Sequence, residues 1–399
     1  MNRDTHDPRD LSGLRDLRGT ALWREAEALF ARARGPGSGQ ISEAVELEVA
    51  PDGRWAVCAG MWVNELVGKP TSRICRIDLG GGDVRVLTFG PHTDRSPKIA
   101  PGGGEVAFLS DRHRCGDFQL YRLDVASGAA RACARVEGWV EYHQWSPSGE
   151  RVLLGVAAHG ADVAGAQGAI STQAEGQGEP SWIPAVETAD ESHRWRRVWV
   201  YEREADRVRA IGPATLNVWE AVWCGEKALL AIVSPGPGEG LWYTATACLI
   251  DIESGATREI YRSEDQLGWP AASPSGRYVS LVEAVCSDRG IVAGNLRLID
   301  TTAGAGAVLV DTRGVDVTHA EWRAERRLLV AGHRAFETVV GVVDAGSREF
   351  REIWSSEELS GGGRYVAVSG ISSLCFSTIA TTILEGATTR AARSCSRIG

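Results

Sequence analysis

Three glutamates lie near the apolar strands of a repeating sequence pattern, where a carboxylate could bind a charged ligand group. They are Glu141, Glu220 and Glu283. A carboxylate is a strong hydrogen-bonding partner for an ammonium group. The same positions also suit solvated side chains that line a channel, and the residue types alone leave both interpretations open.

The segment Ser287-Asp288-Arg289 is a second candidate for ligand contact, and it repeats the earlier triplet Ser110-Asp111-Arg112. Asp288 and Arg289 could contact a ligand through their charges. In the competing interpretation, the aspartate caps a turn and the arginine tethers a neighbouring strand. Of the two copies, the later one is the better candidate for a functional role.

Two of the 14 tryptophans are candidates for an apolar contact with a ligand. Trp219 and Trp269 precede apolar strands, and either ring could line a channel in which an apolar peptide side chain docks. Three other tryptophans, Trp145, Trp223 and Trp322, recur at matching positions of the pattern, which predicts packing between repeated units.

Metal and cofactor chemistry has no support in the sequence. The eight histidines are scattered and form no H-E-x-x-H motif. The nine cysteines include no C-x-x-C pair, and an odd number spread along the chain is typical of reduced thiols. We therefore predict no metal site, no cofactor and a cytoplasmic protein.

The charge balance argues against two classes of partner. The formal net charge is −9, whereas a nucleic-acid or anionic-membrane surface requires basic excess. No run of 18 apolar residues is present, so we expect no membrane span. The charged amino terminus lacks the apolar segment of a signal peptide.

A repeated hairpin organises most of the chain. Each copy has a strand, a Ser/Ala-Pro-x-Gly turn and an alternating apolar strand, and proline followed by glycine favours such a turn. The clear copies contain Pro51, Pro101, Pro147 and Pro274. Weaker copies span 221–230 and 321–330, and a doubtful seventh spans 362–368. A four-stranded unit of about 40–50 residues is typical of a propeller blade.

These observations predict an all-β fold, a β-propeller of seven blades. Six blades are well marked and the last is incomplete. Residues 1–40 form an extension with one helix over 20–34, and 41–370 form the propeller. The Gly-, Ala- and Gln-rich stretch 159–180 is predicted to be a mobile insertion, and 371–399 an aberrant, poorly ordered tail.

The ordered series of hairpins resembles the amino-terminal propeller of the prolyl oligopeptidase family of serine peptidases, especially acylaminoacyl-peptidase and dipeptidyl-peptidase-like bacterial members. The resemblance covers roughly 44–356 and includes Ser110-Asp111-Arg112, 118–121, 266–270 and 282–290. In that family, acidic residues of the propeller can hold the amino terminus of a substrate.

The family's catalytic Ser, Asp and His belong to an α/β-hydrolase domain, whose nucleophile lies in a G-x-S-x-G motif. Gly370-Ile371-Ser372-Ser373-Leu374 lacks the final glycine, and no catalytic residue can be assigned. The resemblance implies the substrate-gating part of a peptidase for short or N-blocked peptides, possible partners being a peptide and a separately encoded hydrolase domain. The composition change near 360–370 favours an interrupted peptidase; the alternative is a stand-alone propeller that binds a protein or peptide.

Overall fold

The computed structural model describes residues 16–34, 41, 44–62, 71–159, 161, 194–303, 306–357, 368–369 and 375–376. No helix among these residues is long and apolar enough to cross a membrane. The predicted insertion at 159–180 lies outside the described residues apart from His159 and Ala161, and the predicted tail lies outside them apart from a two-residue strand.

The predicted amino-terminal helix is present as α1 (Ala21–Arg34). Thr20 caps it, because its Oγ1 accepts a hydrogen bond of 3.2 Å from the backbone N–H of Trp23. The side chains of Leu22, Trp23 and Leu29 are exposed. The prediction of a single short helix ahead of the strands is confirmed.

Six four-stranded antiparallel sheets follow, each built from four consecutive strands. Blade 1 comprises β1 (Ala44–Val49), β2 (Trp55–Trp62), β3 (Thr71–Asp78) and β4 (Val84–Val86). Blade 2 comprises β5 (Asp94–Ile99), β6 (Glu105–Ser110), β7 (Gln119–Asp124) and β8 (Ala130–Ala132). Blade 3 comprises β9 (Trp139–Trp145), β10 (Arg151–Ala157), β11 (Arg196–Glu202) and β12 (Arg207–Ile211).

Blade 4 comprises β13 (Asn217–Cys224), β14 (Ala228–Ser234), β15 (Thr246–Asp251) and β16 (Thr257–Arg262). Blade 5 comprises β17 (Gln266–Ala272), β18 (Tyr278–Ala284), β19 (Asn295–Asp300) and β20 (Val308–Leu309). Blade 6 comprises β21 (Asp316–Ala324), β22 (Arg327–Arg334), β23 (Glu337–Asp344) and β24 (Phe350–Ser356).

The all-β propeller is therefore confirmed with six described blades. The doubtful seventh repeat at 362–368 lies outside the described residues except for Val368. Val368 begins the short strand β25 (Val368–Ser369), which pairs with β26 (Cys375–Phe376). Both short strands lie beside β1.

The repeated hairpins have the geometry that their sequence predicts. In the blade 2 turn, Gly103 has φ +71° and donates its N–H to the carbonyl of Ala100 at 2.8 Å. In the blade 5 turn, Gly276 has φ +79° and donates to Ser273 at 2.8 Å. These left-handed conformations favour glycine. The turns set the register between the first and second strands of a blade.

In two blades the turn between the first and second strands lacks the Ser-Pro-x-Gly motif. It carries a glutamate instead, which forms a hydrogen bond with the preceding blade. Glu226 accepts a hydrogen bond from the N–H of Ser148, and Glu325 accepts one of 3.0 Å from the N–H of Ser275. These are the repeats in which the Ser-Pro-x-Gly motif is weakest. Loss of the motif therefore coincides with a hydrogen bond across the contact between two adjacent blades, which we call a seam.

The matching tryptophans pack between blades, as the sequence predicts. Trp145 Nε1 donates to the carbonyl of Lys98 at 3.0 Å, and Trp223 Nε1 donates to that of Gln144 at 3.0 Å. In each case the acceptor belongs to the first strand of the preceding blade. We call the first strand of each blade its inner strand. Trp322 stacks on Tyr278 of blade 5, with ring centroids 6.2 Å apart.

Each inner strand is an edge of its sheet. Its backbone N–H groups that point away from the second strand therefore need partners from outside the blade. Side chains of the preceding blade supply them. Glu48 of β1 accepts from the N–H of Ile99 at 2.7 Å, and Gln144 of β9 accepts from the N–H of Trp223 at 2.8 Å. These bonds fix the blades relative to one another.

We predict that Trp223→Phe lowers the free energy of unfolding by about 1–3 kcal/mol, because it removes a buried hydrogen bond and part of the packing between blades. Urea unfolding followed by circular dichroism measures this loss. The matched change Trp23→Phe, in exposed α1, should alter stability by less than about 0.5 kcal/mol. Equal effects of the two substitutions would contradict the proposed role of the seam.

His143 gives the fold a predicted acid sensitivity. It is buried, and both ring nitrogens lack a hydrogen-bond partner among the described residues. Burial, together with the nearby Lys98 and Arg95, lowers the pKa of His143 to about 3. Below pH 6.5 the unfolded chain therefore takes up a proton that the folded protein excludes, and stability falls by up to about 1.4 kcal/mol per pH unit.

His143→Leu should weaken this acid-linked loss between pH 6.5 and 4, as measured by urea unfolding at a series of pH values. His113→Leu, at an exposed position, is the matched control and should retain the wild-type slope. An unchanged slope in the His143→Leu variant would show that this imidazole does not contribute.

Candidate functional site

Every inner strand has a β-bulge near its beginning, where it leaves register with the second strand of its blade. The breaks fall at 45–48, 95–98, 140–142, 218–220, 268–271 and 317–319. A bulge leaves an extra residue unpaired and redirects side chains, and bulges are common beside binding sites. The fold thus places six irregular segments around one end of the propeller.

Three bulge residues adopt left-handed backbone conformations although they are not glycine: Glu46 (φ +57°), Ser96 (φ +52°) and Trp269 (φ +52°). Such conformations are uncommon for these residue types and persist where surrounding contacts fix them. Carboxylates supply two of those contacts. Glu46 accepts from the N–H and the hydroxyl of Ser96, and Glu220 accepts from the N–H of Trp269 at 3.1 Å.

The end that carries the bulges is defined here as the loop face. It contains the beginnings of the inner strands and the connections from the second to the third strand of each blade. The described connections include 111–118, 235–245, 285–294 and 335–336. Four exposed apolar side chains lie in these connections: Leu241, Tyr243, Val285 and Phe336.

Five of the predicted residues come together at the loop face: Glu141, Trp219, Glu220, Trp269 and Arg289. We refer to these five residues with Arg196 as the loop-face cluster. Trp219 is its centre. Its ring is buried, and its Nε1 donates to Ser234 Oγ at 2.9 Å. The guanidinium groups of Arg196 and Arg289 lie 5.4 and 4.9 Å from the ring centroid, within the range of cation–π attraction.

Glu141 is bonded within the cluster. Both of its carboxylate oxygens accept from Arg196 Nε, at 3.2 and 3.1 Å. The two side chains are 5% and 4% exposed, so this is a buried ion pair. Arg196 was not among the predicted site residues, although a buried glutamate requires such a partner.

Glu220 lies in the bulge of β13 and is half-buried. Burial raises the pKa of Glu220 to about 7, while the charge of Arg289 and the N–H of Trp269 act in the opposite direction. Its carboxyl group therefore changes charge near neutral pH. Trp269 is also held by its ring, because Nε1 donates to the carbonyl of Val292 at 2.8 Å.

Arg289 begins a short 3-10 helix (Arg289–Ile291) that follows β18. Asp288 caps this helix, since its carboxylate accepts from the N–H of Gly290 at 3.0 Å. Burial is the main cause that lowers the pKa of Arg289, and repulsion by Arg196 adds to it. Within this motif, Asp288 therefore positions the segment that presents Arg289 to the cluster.

The earlier triplet, Ser110-Asp111-Arg112, has a structural role, as in the competing interpretation given above. Asp111 accepts from the N–H groups of Thr93 at 2.8 Å and Gly116 at 3.0 Å. Arg112 Nη2 donates to both carboxylate oxygens of Asp94, at 2.9 and 3.0 Å. These bonds tie the loop after β6 to the beginning of β5.

Glu283 lies outside the cluster, although the sequence grouped it with Glu141 and Glu220. Its carboxylate accepts from Tyr261 Oη at 2.8 Å, from Ser263 Oγ and from Arg297 Nε. Burial acts to raise the pKa of Glu283, but these hydrogen bonds outweigh it and lower the pKa. Glu283 joins the outer part of blade 4 to blade 5.

Tyr142 lies next to the cluster and was not predicted from the sequence. Its ring covers Gly155 of β10 so closely that a β-carbon there would fall 2.2 Å from the ring. Glycine at this position gives the tyrosine its place beside Glu141. Among the described residues, no group of three or more His, Cys, Asp or Glu side chains could hold a metal ion.

No protein-family model matches this chain. The chain is 32% identical to the uncharacterized peptidase YuxL of Bacillus subtilis over 117 residues, which are 29% of this chain and 18% of that protein. The chain therefore spans a small part of this curated relative.

Solved propellers of peptidases share the fold. Acylaminoacyl peptidase of Pyrococcus horikoshii matches with a TM-score of 0.56 and 13% identity, over 84% of this chain and 48% of that one. The propeller domain of the trilobed protease of Pyrococcus furiosus, which has an open velcro topology, matches with a TM-score of 0.55 and 10% identity over 84% and 90%. A puromycin-hydrolyzing peptidase of Mycobacterium tuberculosis matches with a TM-score of 0.54 and 12% identity over 81% and 45%.

We predict that Glu141→Gln lowers the free energy of unfolding by about 3 kcal/mol, because it leaves the charge of Arg196 buried without its carboxylate. Urea unfolding gives the value. Glu259→Gln removes the carboxylate of an exposed pair with Arg262 and should cost less than about 1 kcal/mol. A small effect at Glu141 would mean that the pair is not essential to the fold.

Proposed function

We propose that this chain is the propeller part of a serine peptidase of the prolyl oligopeptidase family, acting on short or N-blocked peptides. The observation that carries the proposal is the loop-face cluster, in which charged and aromatic side chains from three blades converge at the bulged ends of the inner strands. The likeness of the fold to the propellers of acylaminoacyl peptidase and the trilobed protease supports it.

In this proposal the propeller selects substrates by size. A rigid ring of antiparallel sheets admits a short extended peptide to its end and excludes folded protein. The half-buried Trp269 provides aromatic surface and the half-buried Glu220 provides a polar group, which together suit a peptide, while Trp219 and Arg289 belong to the buried part of the cluster. The seven described cysteines are free thiols, which supports the cytoplasmic location that we propose.

Hydrolysis is assigned to an α/β-hydrolase domain that these 399 residues do not include, since the sequence contains no G-x-S-x-G motif. Such a domain would supply the serine nucleophile, its histidine base and the oxyanion-binding groups. A separately encoded domain is one possible source. The chain itself would bind the peptide and limit access.

A stand-alone binding propeller is the second candidate function. The exposed apolar side chains Leu241, Tyr243, Val285 and Phe336 on the loop face favour it, because such groups often mark protein contacts. The two functions differ in the size of the ligand. A peptidase propeller should bind tripeptides at the cluster, whereas a binding module should require a larger protein surface.

The purified chain should bind N-acetylated tripeptides without hydrolysing them. Isothermal titration calorimetry measures binding, and release of p-nitroaniline from acetyl-peptide anilides measures hydrolysis. A fluorophosphonate probe should label no serine. Trp269→Ala should weaken binding at least fivefold, because it removes a half-buried ring at the loop face, whereas Trp354→Ala in the outer strand of blade 6 should not. Hydrolysis that the fluorophosphonate abolishes would contradict the proposal that this chain binds the peptide and that a separate domain hydrolyses it.

A further inference from the structure

Two cysteines of blade 1 face each other across adjacent strands. Cys58 in β2 is paired in register with Cys75 in β3, and both are free thiols. No other pair of cysteines is in register among the described strands. The candidate functional site uses neither residue, so the fold leaves the chemistry of this pair without an assigned role.

The strand register sets the distance between the two residues. The N–H of Leu79 donates to the carbonyl of Arg54 at 2.9 Å, so the opposed pairs two and four residues further along these strands are hydrogen-bonded pairs. Cys58 and Cys75 form the second of them, and Cα atoms in such a pair are about 5.5 Å apart. Disulfides most often join Cα atoms about 5.5–6 Å apart, so the backbone spacing suits a bond between the two sulfurs.

The two side chains also lie close to each other. The pKa of the Cys58 thiol is raised well above its usual value, first by a hydrogen bond with Cys75 and then by burial. The Cys75 thiol donates to the carbonyl of Arg73 at 3.6 Å. A β-carbon at Gly60 would lie 2.7 Å from Ile41 Cγ2 and 2.8 Å from Cys75 Sγ. Glycine therefore leaves room for the Cys75 sulfur, and Ile41 lies beside it.

The pair projects from the face of blade 1 that is turned away from blade 2. Val57 and Ile74 pack in one cluster with apolar side chains of blade 2, and successive side chains point to opposite faces of a strand. Cys58 and Cys75 therefore point to the other face, where they are 1% and 0% exposed. An oxidant reaches these sulfurs only when the cover of this face opens.

We propose that Cys58 and Cys75 are a redox-sensitive pair, which hydrogen peroxide converts into a disulfide that joins β2 to β3. Cys58 holds its proton in the reduced protein, so the first step is assigned to Cys75. The Cys75 thiolate attacks one peroxide oxygen and breaks the O–O bond, which leaves a sulfenic acid, and the released hydroxide takes up the Cys75 proton as water.

The second step forms the S–S bond. Cys58 Sγ attacks the sulfenic sulfur, and the proton of Cys58 leaves with the hydroxyl group as a second water. The two sulfurs together lose two electrons, which the peroxide gains. The free thiols of the described chain are the reduced form of the pair, as expected in a reducing compartment.

The disulfide would strengthen the first blade. It closes residues 58–75 into a covalent loop, which restricts the unfolded chain and so stabilises the folded one. Blade 1 also holds blade 2, because Glu46 and Glu48 of β1 accept hydrogen bonds from Ser96 and Ile99. Peroxide would therefore stabilise a blade on which the next blade depends.

The test treats the folded full-length chain with hydrogen peroxide, blocks the remaining thiols with iodoacetamide and maps disulfides by mass spectrometry. Trypsin cleaves after Arg54, Arg73 and Arg76, which places the two cysteines in different peptides. We expect a cross-link between peptides 55–73 and 74–76 that dithiothreitol reverses. The exposed thiol of Cys115 is the reference. If Cys115 is fully oxidised and an incubation about tenfold longer still leaves both thiols of the pair free, the proposal is wrong.

Ile41→Ala should speed formation of the cross-link at least about threefold, because it removes part of the cover beside the sulfurs. Leu216→Ala, at a partly buried apolar position between blades 3 and 4, is the matched control and should leave the rate unchanged. Circular dichroism checks that both variants are folded. A folded Ile41→Ala variant that reacts at the wild-type rate would overturn the assignment of Ile41 as the cover.

Oxidation should also raise the midpoint of thermal unfolding by about 3 °C or more. Cys58→Ser and Cys75→Ser should lose both the cross-link and this shift, whereas Cys133→Ser, at a buried position outside the pair, should keep both. A shift that persists in Cys75→Ser would overturn the stabilising role of the disulfide. None of these outcomes depends on peptide binding, so failure of the proposed function would leave this inference standing.

Discussion

The structure depends on how the inner edge of each blade is covered. A propeller places the first strand of every sheet at its centre, where one row of backbone N–H groups has no neighbouring strand. Side chains from the preceding blade fill part of that row: Glu46, Glu48, Gln144 and Glu220 accept from Ser96, Ile99, Trp223 and Trp269. The edge of one blade is thus satisfied in part by side chains of the preceding blade, and order at the centre depends on the seams between blades 1 and 2, 3 and 4, and 4 and 5.

The candidate site follows from the same arrangement. Bulges free individual residues from pairing at the loop face, and the carboxylates that fix those bulges become part of the site. Glu220 has both roles, since it holds Trp269 in a left-handed conformation and lies near Arg289. A group that stabilises the seam can therefore also belong to the candidate site. The buried pair of Glu141 and Arg196 has a mainly structural part in the cluster.

Local sequence signals predicted the fold because its turns are local. Glycine and proline marked the hairpins, and Asp124 or Asp251 marked the turns after third strands, where each carboxylate accepts from the N–H three residues ahead. The site was only partly predictable, since spacing along the chain does not show which seam a side chain enters. Glu283 shares its residue type with Glu141, yet it lies in the second strand of its blade and bonds to Tyr261 of blade 4 and Arg297 of blade 5. Arg196 carried no motif, because its partner lies 55 residues away.

A crystal structure of the chain with N-acetyl-Gly-Gly-Phe tests the central claim most directly. The account predicts that the peptide lies at the loop face, in contact with the half-buried side chains of Glu220 and Trp269. Peptide density at another place, for example in the groove that Arg209 of blade 3 and Ser254 of blade 4 line, would contradict it. A crystal soaked at a concentration well above the calorimetric Kd that shows an empty loop face would contradict it equally.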